Sequence, residues 1–416
     1  MSEPLSRPPK KNPQLRQKVA TLPPLARSRA AMGLTAAAAR GSFSLQHCSE
    51  CATVQYPPRD ACSACLCVDL EWRETDRGGS VVAQTTIHAS PDPYYRQRLP
   101  WRSGLVKLDA GPSIFCHLHG DVRRGDRISM DIKLDRAGQG VMIALPAGRM
   151  PNMEDDPQLR TLTANPRHRR VLVTDIRAPW AVPLVHELIK AGASHVFVGE
   201  AEGWRRATPH ESLASLEQVS ILQLDVTDAN SVKKLAAGIG GKTDILINTA
   251  RHVRPGGVVG GDTVFARDEM EVNAFGLMRL AQAFGPAMAS RTDDGINSAA
   301  AFVNILSASA MSAEPGYGAF SASQAAAYSI SQTLRGEFRA SGLRVMNVFV
   351  GPTDDEWHQQ MPPPKVAPQA LAKAVVDGLV CGLEDVYCGD FAKDIEERWR
   401  RDAKVLEREL TGGEHG

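Results

Sequence analysis

Four cysteines stand in two pairs, Cys48-Ser-Glu-Cys51 and Cys62-Ser-Ala-Cys65, with ten residues between them. Two tight knuckles of this kind present four thiolates, a tetrahedral donor set that suits zinc and also suits iron. A closed four-thiolate shell leaves no open position for substrate, so the spacing predicts a structural metal held by Cys48, Cys51, Cys62 and Cys65. The bland alternative is two coincidental pairs of buried thiols, which the regular spacing disfavours. Cys67 lies two residues past the last pair and reads as a small buried residue, not a replacement donor. No uninterrupted apolar segment follows the basic N-terminus, which argues against a secretory signal. In such a chain of 416 residues with eight cysteines, the clustering predicts metal binding in a reducing cytoplasm, not a disulfide framework.

The elements that must position these residues follow from composition and rhythm. The length suits two or three domains, and 43% hydrophobic with 23% charged residues is ordinary for a globular chain. A net charge of +1 gives no global pull toward nucleic acid or membrane. No apolar run reaches the roughly 18 residues that would span a bilayer. Residues 1–27, rich in Pro, Lys and Arg, read as a mobile tail. Residues 28–69 read as a short alanine-rich helix and the cysteine knuckles, and 70–146 as short strands separated by Gly, Asp and Pro turns, a small barrel. Residues 147–168, with Pro151, Pro157 and Pro166, read as a linker. From 169 to 390 apolar strands alternate with helical stretches, which predicts a doubly wound α/β domain with a parallel sheet covered on both faces. Residues 391–416 are strongly charged and read as an exposed terminal helix.

The order of helix, cysteine segment LQHCSECATVQYPPRDACSAC and barrel segment LVKLDAGPSIFCHLHGDVRRGDRISM resembles a family of acyl-CoA-associated proteins. These join a rubredoxin-like zinc ribbon to an OB-fold, and the resemblance covers about 28–146. It implies a binding and assembly module that accompanies a thiolase-like protein or another acyl-CoA enzyme, with acyl-CoA as ligand. OB-folds elsewhere bind oligonucleotides, but this barrel lacks a dense Lys/Arg stripe with interleaved aromatics, so no nucleic-acid partner is expected.

Residues of about 169–385 resemble the short-chain dehydrogenase/reductase family, a Rossmann fold. Such a site needs glycines after its first strand, so that backbone can approach a pyrophosphate at a helix N-terminus. Thr174 matches the family's Thr-Gly-x-x-x-Gly-x-Gly, but Asp175, Pro179 and Ala181 replace the glycines. An aspartate repels a diphosphate, and proline removes an amide donor. Asp225 matches the family's adenine-contact strand end, and Asp244-Ile-Leu-Ile-Asn248-Thr-Ala-Arg251 matches Asp-x-Leu-x-Asn-Asn-Ala-Gly, with Arg251 in place of the last glycine. Asn273 and Ser307 match the helix asparagine and the catalytic serine. The family's tyrosine, thirteen residues after that serine, is Phe320 here, and its lysine, four further on, is Gln324. Phenylalanine has no proton to give, and glutamine has no charge to tune one. Tyr317 is the one nearby substitute, but Ser321 then stands in the lysine place. Met361-Pro-Pro-Pro-Lys365 implies a shortened substrate lid, and His358 beside it reads as a surface residue.

The sequence therefore predicts a non-catalytic accessory subunit with structural zinc and no binding of NAD(P). Its dehydrogenase-like half would serve assembly, pairing through helices at about 264–290 and 318–340 with itself or an active relative, as the resemblance implies. Two competing readings are an active oxidoreductase of the 3-oxoacyl-CoA type with an atypical site at Asn273, Ser307 and Tyr317, and a regulatory or nucleic-acid-binding OB module.

Overall fold

The alanine-rich run becomes helix α1 (Met32–Arg40), which stops where Gly41 takes the left-handed conformation at φ 72°. The computed structural model describes residues 2–8, 20–25, 28–202, 207–359, 361 and 363–412. Three short antiparallel strands carry the cysteines: β1 (Ser44–Cys48), β2 (Val54–Gln55) and β3 (Leu70–Glu74), in the order β2-β1-β3. Five more strands close a barrel: β4 (Gly78–Ile87), β5 (Trp101–Leu108), β6 (Ser113–Leu118), β7 (Arg127–Leu134) and β8 (Gly140–Pro146), joined as β4-β5-β6-β8-β7. A short helix α2 (Pro93–Arg96), capped by Asp92, bridges β4 and β5. Leu34 of α1 shares one core with Phe43, Val106, Ile114, Leu118 and Met130, so α1 closes the barrel's apolar interior. The approach is close: a Cβ on Gly140 would lie 2.8 Å from the Leu34 carbonyl oxygen.

The segment expected to be a loose linker is a docked element. Asp156 caps α3 (Pro157–Thr161) through the Leu159 N–H at 2.8 Å, and its other oxygen accepts from the Gly120 N–H at 2.8 Å. The Gln158 amide accepts from the Arg102 N–H at 2.6 Å and donates to the Arg102 carbonyl at 2.9 Å. Leu159 and Leu162 pack on Val141 and Ile143. Its polar residues thus serve specific backbone partners, which composition could not reveal. The first 27 residues differ from expectation in the same way where described: the Ser2 N–H donates to Asp121 and the Thr21 N–H to Asp293. Residues 9–19 lie outside the described residues.

In the remaining half, Val171 and Val173 face one core and Leu172 the other, as period-2 side chains do in a strand buried on both faces. Here β9 (Arg170–Val173), β10 (His195–Glu200), β11 (Val219–Gln223), β12 (Ile245–Asn248), β13 (Ala301–Ser307), β14 (Arg344–Val350) and β15 (Asp385–Cys388) form one parallel sheet. The order is β11-β10-β9-β12-β13-β14-β15, a doubly wound Rossmann sheet. Helices α4 (Ala181–Lys190), α5 (His210–Ala214) and α10 (Pro368–Cys381) belong to the first core, and α6 (Ala229–Ile239), α8 (Leu277–Ala289) and α9 (Gly318–Phe338) to the second. Helix α7 (Thr263–Met270) runs into α8 through a π-helical turn at Glu271–Gly276. The charged terminal segment α11 (Asp390–Gly412) breaks at Asp402, whose carboxylate caps Lys404 and Val405. It is not wholly exposed: Ile395 and Leu406 are buried with Ala308, while Trp399 and Val405 stand in solvent beside the charges. Among the described residues no helix is long and apolar enough to cross a membrane.

Candidate functional site

Each cysteine pair closes a tight turn. The Ala52 N–H donates to the Cys48 carbonyl and the Leu66 N–H to the Cys62 carbonyl, both at 3.1 Å. Ala52 and Leu66 accordingly take φ values of 56° and 66°, left-handed positions that non-glycine residues adopt at a cost. The turns bring the sulfurs of Cys48, Cys51, Cys62 and Cys65 within 4.8 Å of one another, with Cys48–Cys65 at 3.5 Å and Cys51–Cys62 at 3.6 Å. A tetrahedron with zinc–sulfur bonds of about 2.3 Å has sulfur–sulfur edges of about 3.8 Å, so the four thiols fit one zinc. The four thiols share their protons unequally: the Thr53 hydroxyl and backbone hold Cys51 down to about 6, while, against the Cys67 backbone, neighbouring Cys51 and Cys48 push Cys65 up to about 12. Cys67 stands apart and half-buried, its sulfur accepting from the Asp69 N–H.

At the carboxyl ends of β9 to β12 lies a cleft of about 870 Å³, where the fold places a dinucleotide. Thr174, Asp175, Pro179, Asp225 and Arg251 all line it. The Thr174 hydroxyl accepts from the Thr249 N–H at 2.9 Å and lies 3.1 Å from Asn248 Oδ1. Burial pushes the Asp175 carboxyl up, against the Arg177 N–H that donates to it at 2.9 Å. Asp225 accepts from the N–H and hydroxyl of Thr227. Trp180, between Pro179 and Ala181, is fully buried in the turn that precedes α4. The cleft rim adds Glu202, Asp354 and Glu356, so its carboxylates would oppose a diphosphate.

A cation packs beside Phe320. Arg251, side chain 9% exposed, pairs with Asp355 at 3.0 Å and sets its guanidinium 5.0 Å above the Trp180 ring and 5.8 Å above the Phe320 ring. Asp355 also accepts from the Thr353 hydroxyl and lies 2.7 Å from His358 Nδ1, and the imidazole stacks on Tyr317 at 5.8 Å. His358 is thus buried, not at the surface as expected, because Asp355 and Tyr317 turn it inward. Burial, then Glu314 and Asp355, push the Tyr317 phenol up, the opposite of the tuning a proton donor needs. Gln324 Oε1 accepts from the Ser307 N–H at 2.9 Å, and the Ser307 hydroxyl accepts from the Ser309 N–H at 3.2 Å. Asn273 spans the His252 N–H and carbonyl and donates to Ser323. The residues matching the family's catalytic positions therefore brace loops and strand ends. Sequence reasoning missed Trp180, Thr353 and Asp355; the one available signal was the three-residue spacing of Asp355 and His358.

The Asp355 carboxyl gives a pH test. Burial opposes its ionisation, yet His358, Thr353 and the Arg251 charge hold it down to about 2. An acid depressed in the folded state stabilises the fold above its unfolded pKa, and that contribution is lost as pH falls through the folded value. With an unfolded value of about 3.9, the window runs from about pH 4 to pH 2 and the contribution is about 2 kcal/mol. Urea denaturation of Asp355→Asn should show a flatter acid limb than the parent across that window; parallel limbs would refute the assignment.

Residues 170–365 match the family model described as short chain dehydrogenase. Residues 72–133 match that of the ChsH2 C-terminal OB-fold domain, and 35–66 that of the ChsH2 rubredoxin-like zinc ribbon domain. Among solved structures, the chain is similar to a short chain dehydrogenase from Burkholderia cenocepacia J2315 in complex with NADP. The identity is 30% and the TM-score 0.53, over 59% of this chain and 98% of that one. It is 28% identical to short-chain dehydrogenase PC-15 of Penicillium crustosum, over 44% of this chain and 65% of the relative. It is 26% identical to 3-ketodihydrosphingosine reductase of Dictyostelium discoideum, over 42% and 57% respectively. The match thus spans less than two thirds of the length of these curated relatives.

Proposed function

Since the chain belongs to the short-chain dehydrogenase family through residues 170–365, and carries the ChsH2-type zinc ribbon and OB-fold ahead of it, we propose that it is a non-catalytic accessory subunit of cytoplasmic acyl-CoA metabolism. The zinc-ribbon and barrel module docks to a thiolase-like or other acyl-CoA enzyme and helps hold the acyl-CoA. The dehydrogenase-like half serves assembly. The observation that carries this reading is Arg251, which pairs with Asp355 and packs its guanidinium against Trp180 and Phe320, the residue at the family's tyrosine position. Val264, Phe265, Phe275 and Met278, exposed on α7, its π-helical continuation and α8, favour assembly through that helix pair.

An oxidoreductase with an atypical site is the second reading, and the open cleft beneath Asp175 favours it. Calorimetric titration separates the two. We expect negligible binding of NADH or NADPH at physiological concentrations, and micromolar binding of either would revive the oxidoreductase. Phe320→Tyr with Gln324→Lys should still transfer no hydride across roughly pH 6 to 9, because nicotinamide must first be held at near-attack distance. Measurable hydride transfer by this double variant would place the loss in the catalytic pair alone.

A further inference from the structure

A second cavity lies at the opposite end of the sheet, between the amino ends of β9, β13 and β14, the barrel and α3. It encloses about 310 Å³. Among the described residues five arginines line it, Arg98, Arg136, Arg160, Arg169 and Arg344, and no aspartate or glutamate does. The positive charge is only partly balanced from behind. Arg98 and Arg136 share one carboxylate, Asp293, at 2.8 and 2.7 Å. Arg169, 3% exposed, donates to the carbonyls of Ser298 and Asn165, and Arg344 donates to the carbonyl of Leu134. The nearby carboxylates act on them from a distance: Asp244 on Arg169, and Asp135 and Glu384 on Arg344. Burial and then neighbouring Arg160 push Arg169 down to about 9, so the cations crowd one another. Burying a cation whose counter-charges are shared or distant is costly, and a bound anion would lower that cost. The remaining wall is apolar, including Leu99, Trp101, Ala299 and Ala300.

We propose that this cavity binds a small organic carboxylate, its head group held by Arg169 and Arg344 and its hydrocarbon body set against Trp101 and Leu99. The planar guanidinium matches a carboxylate in a paired, two-point contact. The volume sits at the low end of ligand pockets, which limits the guest to a short acid. The site is built by both modules and stands independently of the role proposed above.

The test is calorimetric titration of the full zinc-loaded chain with hexanoate, hexanol and inorganic phosphate. Hexanoate should bind saturably at one site per chain, while hexanol, with the same body and no charge, should not. Phosphate should bind at least about tenfold more weakly than hexanoate. Arg344→Gln and Arg169→Gln should each weaken hexanoate at least about tenfold. Arg344→Lys keeps the charge but loses the fork, and should also bind more weakly than the parent. Absence of hexanoate binding to the folded parent, equal binding of hexanol, preference for phosphate, or unchanged binding in the folded arginine variants would each overturn the proposal. If the arginine variants unfold, the comparison of hexanoate with hexanol on the parent decides alone.

Discussion

Cys62→Ala is expected to release the metal and unfold the first module while the parallel sheet survives. Cys62 is 1% exposed, and its sulfur accepts from the Ala64 N–H at 3.4 Å. Few apolar contacts hold its surroundings: among β1 to β3 the chief buried side chain is Leu45, and the two turns carry left-handed Ala52 and Leu66. The metal must supply most of the stability, and structural zinc sites contribute about 10–16 kcal/mol apparent at neutral pH. The damage should spread, because Phe43 and Leu45 also belong to the barrel core. Elemental analysis should find one zinc per chain in the parent and none in the variant. Limited proteolysis should then cut first within residues 44–74. Freshly purified parent with neither zinc nor iron, or a variant as resistant as the parent, would refute this account.

Arg251→Leu is expected to lower stability by about 3 kcal/mol, the loss typical when one partner of a buried ion pair is removed. The leucine removes from Asp355, 4% exposed, the cation that stands beside the Thr353 hydroxyl and the imidazole and N–H of His358. It also leaves the Trp180 and Phe320 rings without the cation between them. Adding Asp355→Asn should recover much of the loss, since the uncompensated charge is then gone. Urea midpoints of the two single variants and the double variant measure the coupling directly. A loss below about 0.5 kcal/mol, the range of an ordinary surface change, would mean that the arginine is not a packed plug.

The parts legible in the sequence were those fixed by spacing or period. Two Cys-x-x-Cys pairs can close on one metal whatever surrounds them, and strands such as Val171-Leu-Val are apolar on both faces only if both are covered. The departures from the family pattern at Phe320 and Gln324 were readable because a serine and a run of small residues set the register. What surrounds those positions was not readable. His358 looks like a surface residue until the chain brings Tyr317 against it and Arg251 against its partner Asp355, from positions far apart in sequence. Gln158 looks like a polar residue in a proline-rich connection until it meets the Arg102 backbone. Polar residues that satisfy distant backbone groups carry no periodic signal.

The Gln158 contact also changes what sort of object the chain is. Its amide pairs with β5 as a neighbouring strand would, and Ala164 carries the same segment onward to the Leu379 carbonyl. Barrel and sheet are thereby held at a fixed angle instead of joined by a tether. For a tethered pair, the length of the connection sets the effective concentration of one module near the other's target. For a braced pair, only geometry matters: a partner that grips both surfaces meets them already in register, and one of the wrong span gains nothing from the second contact. A brace of this kind would sort any such partner by its shape, where a hinge would accommodate many.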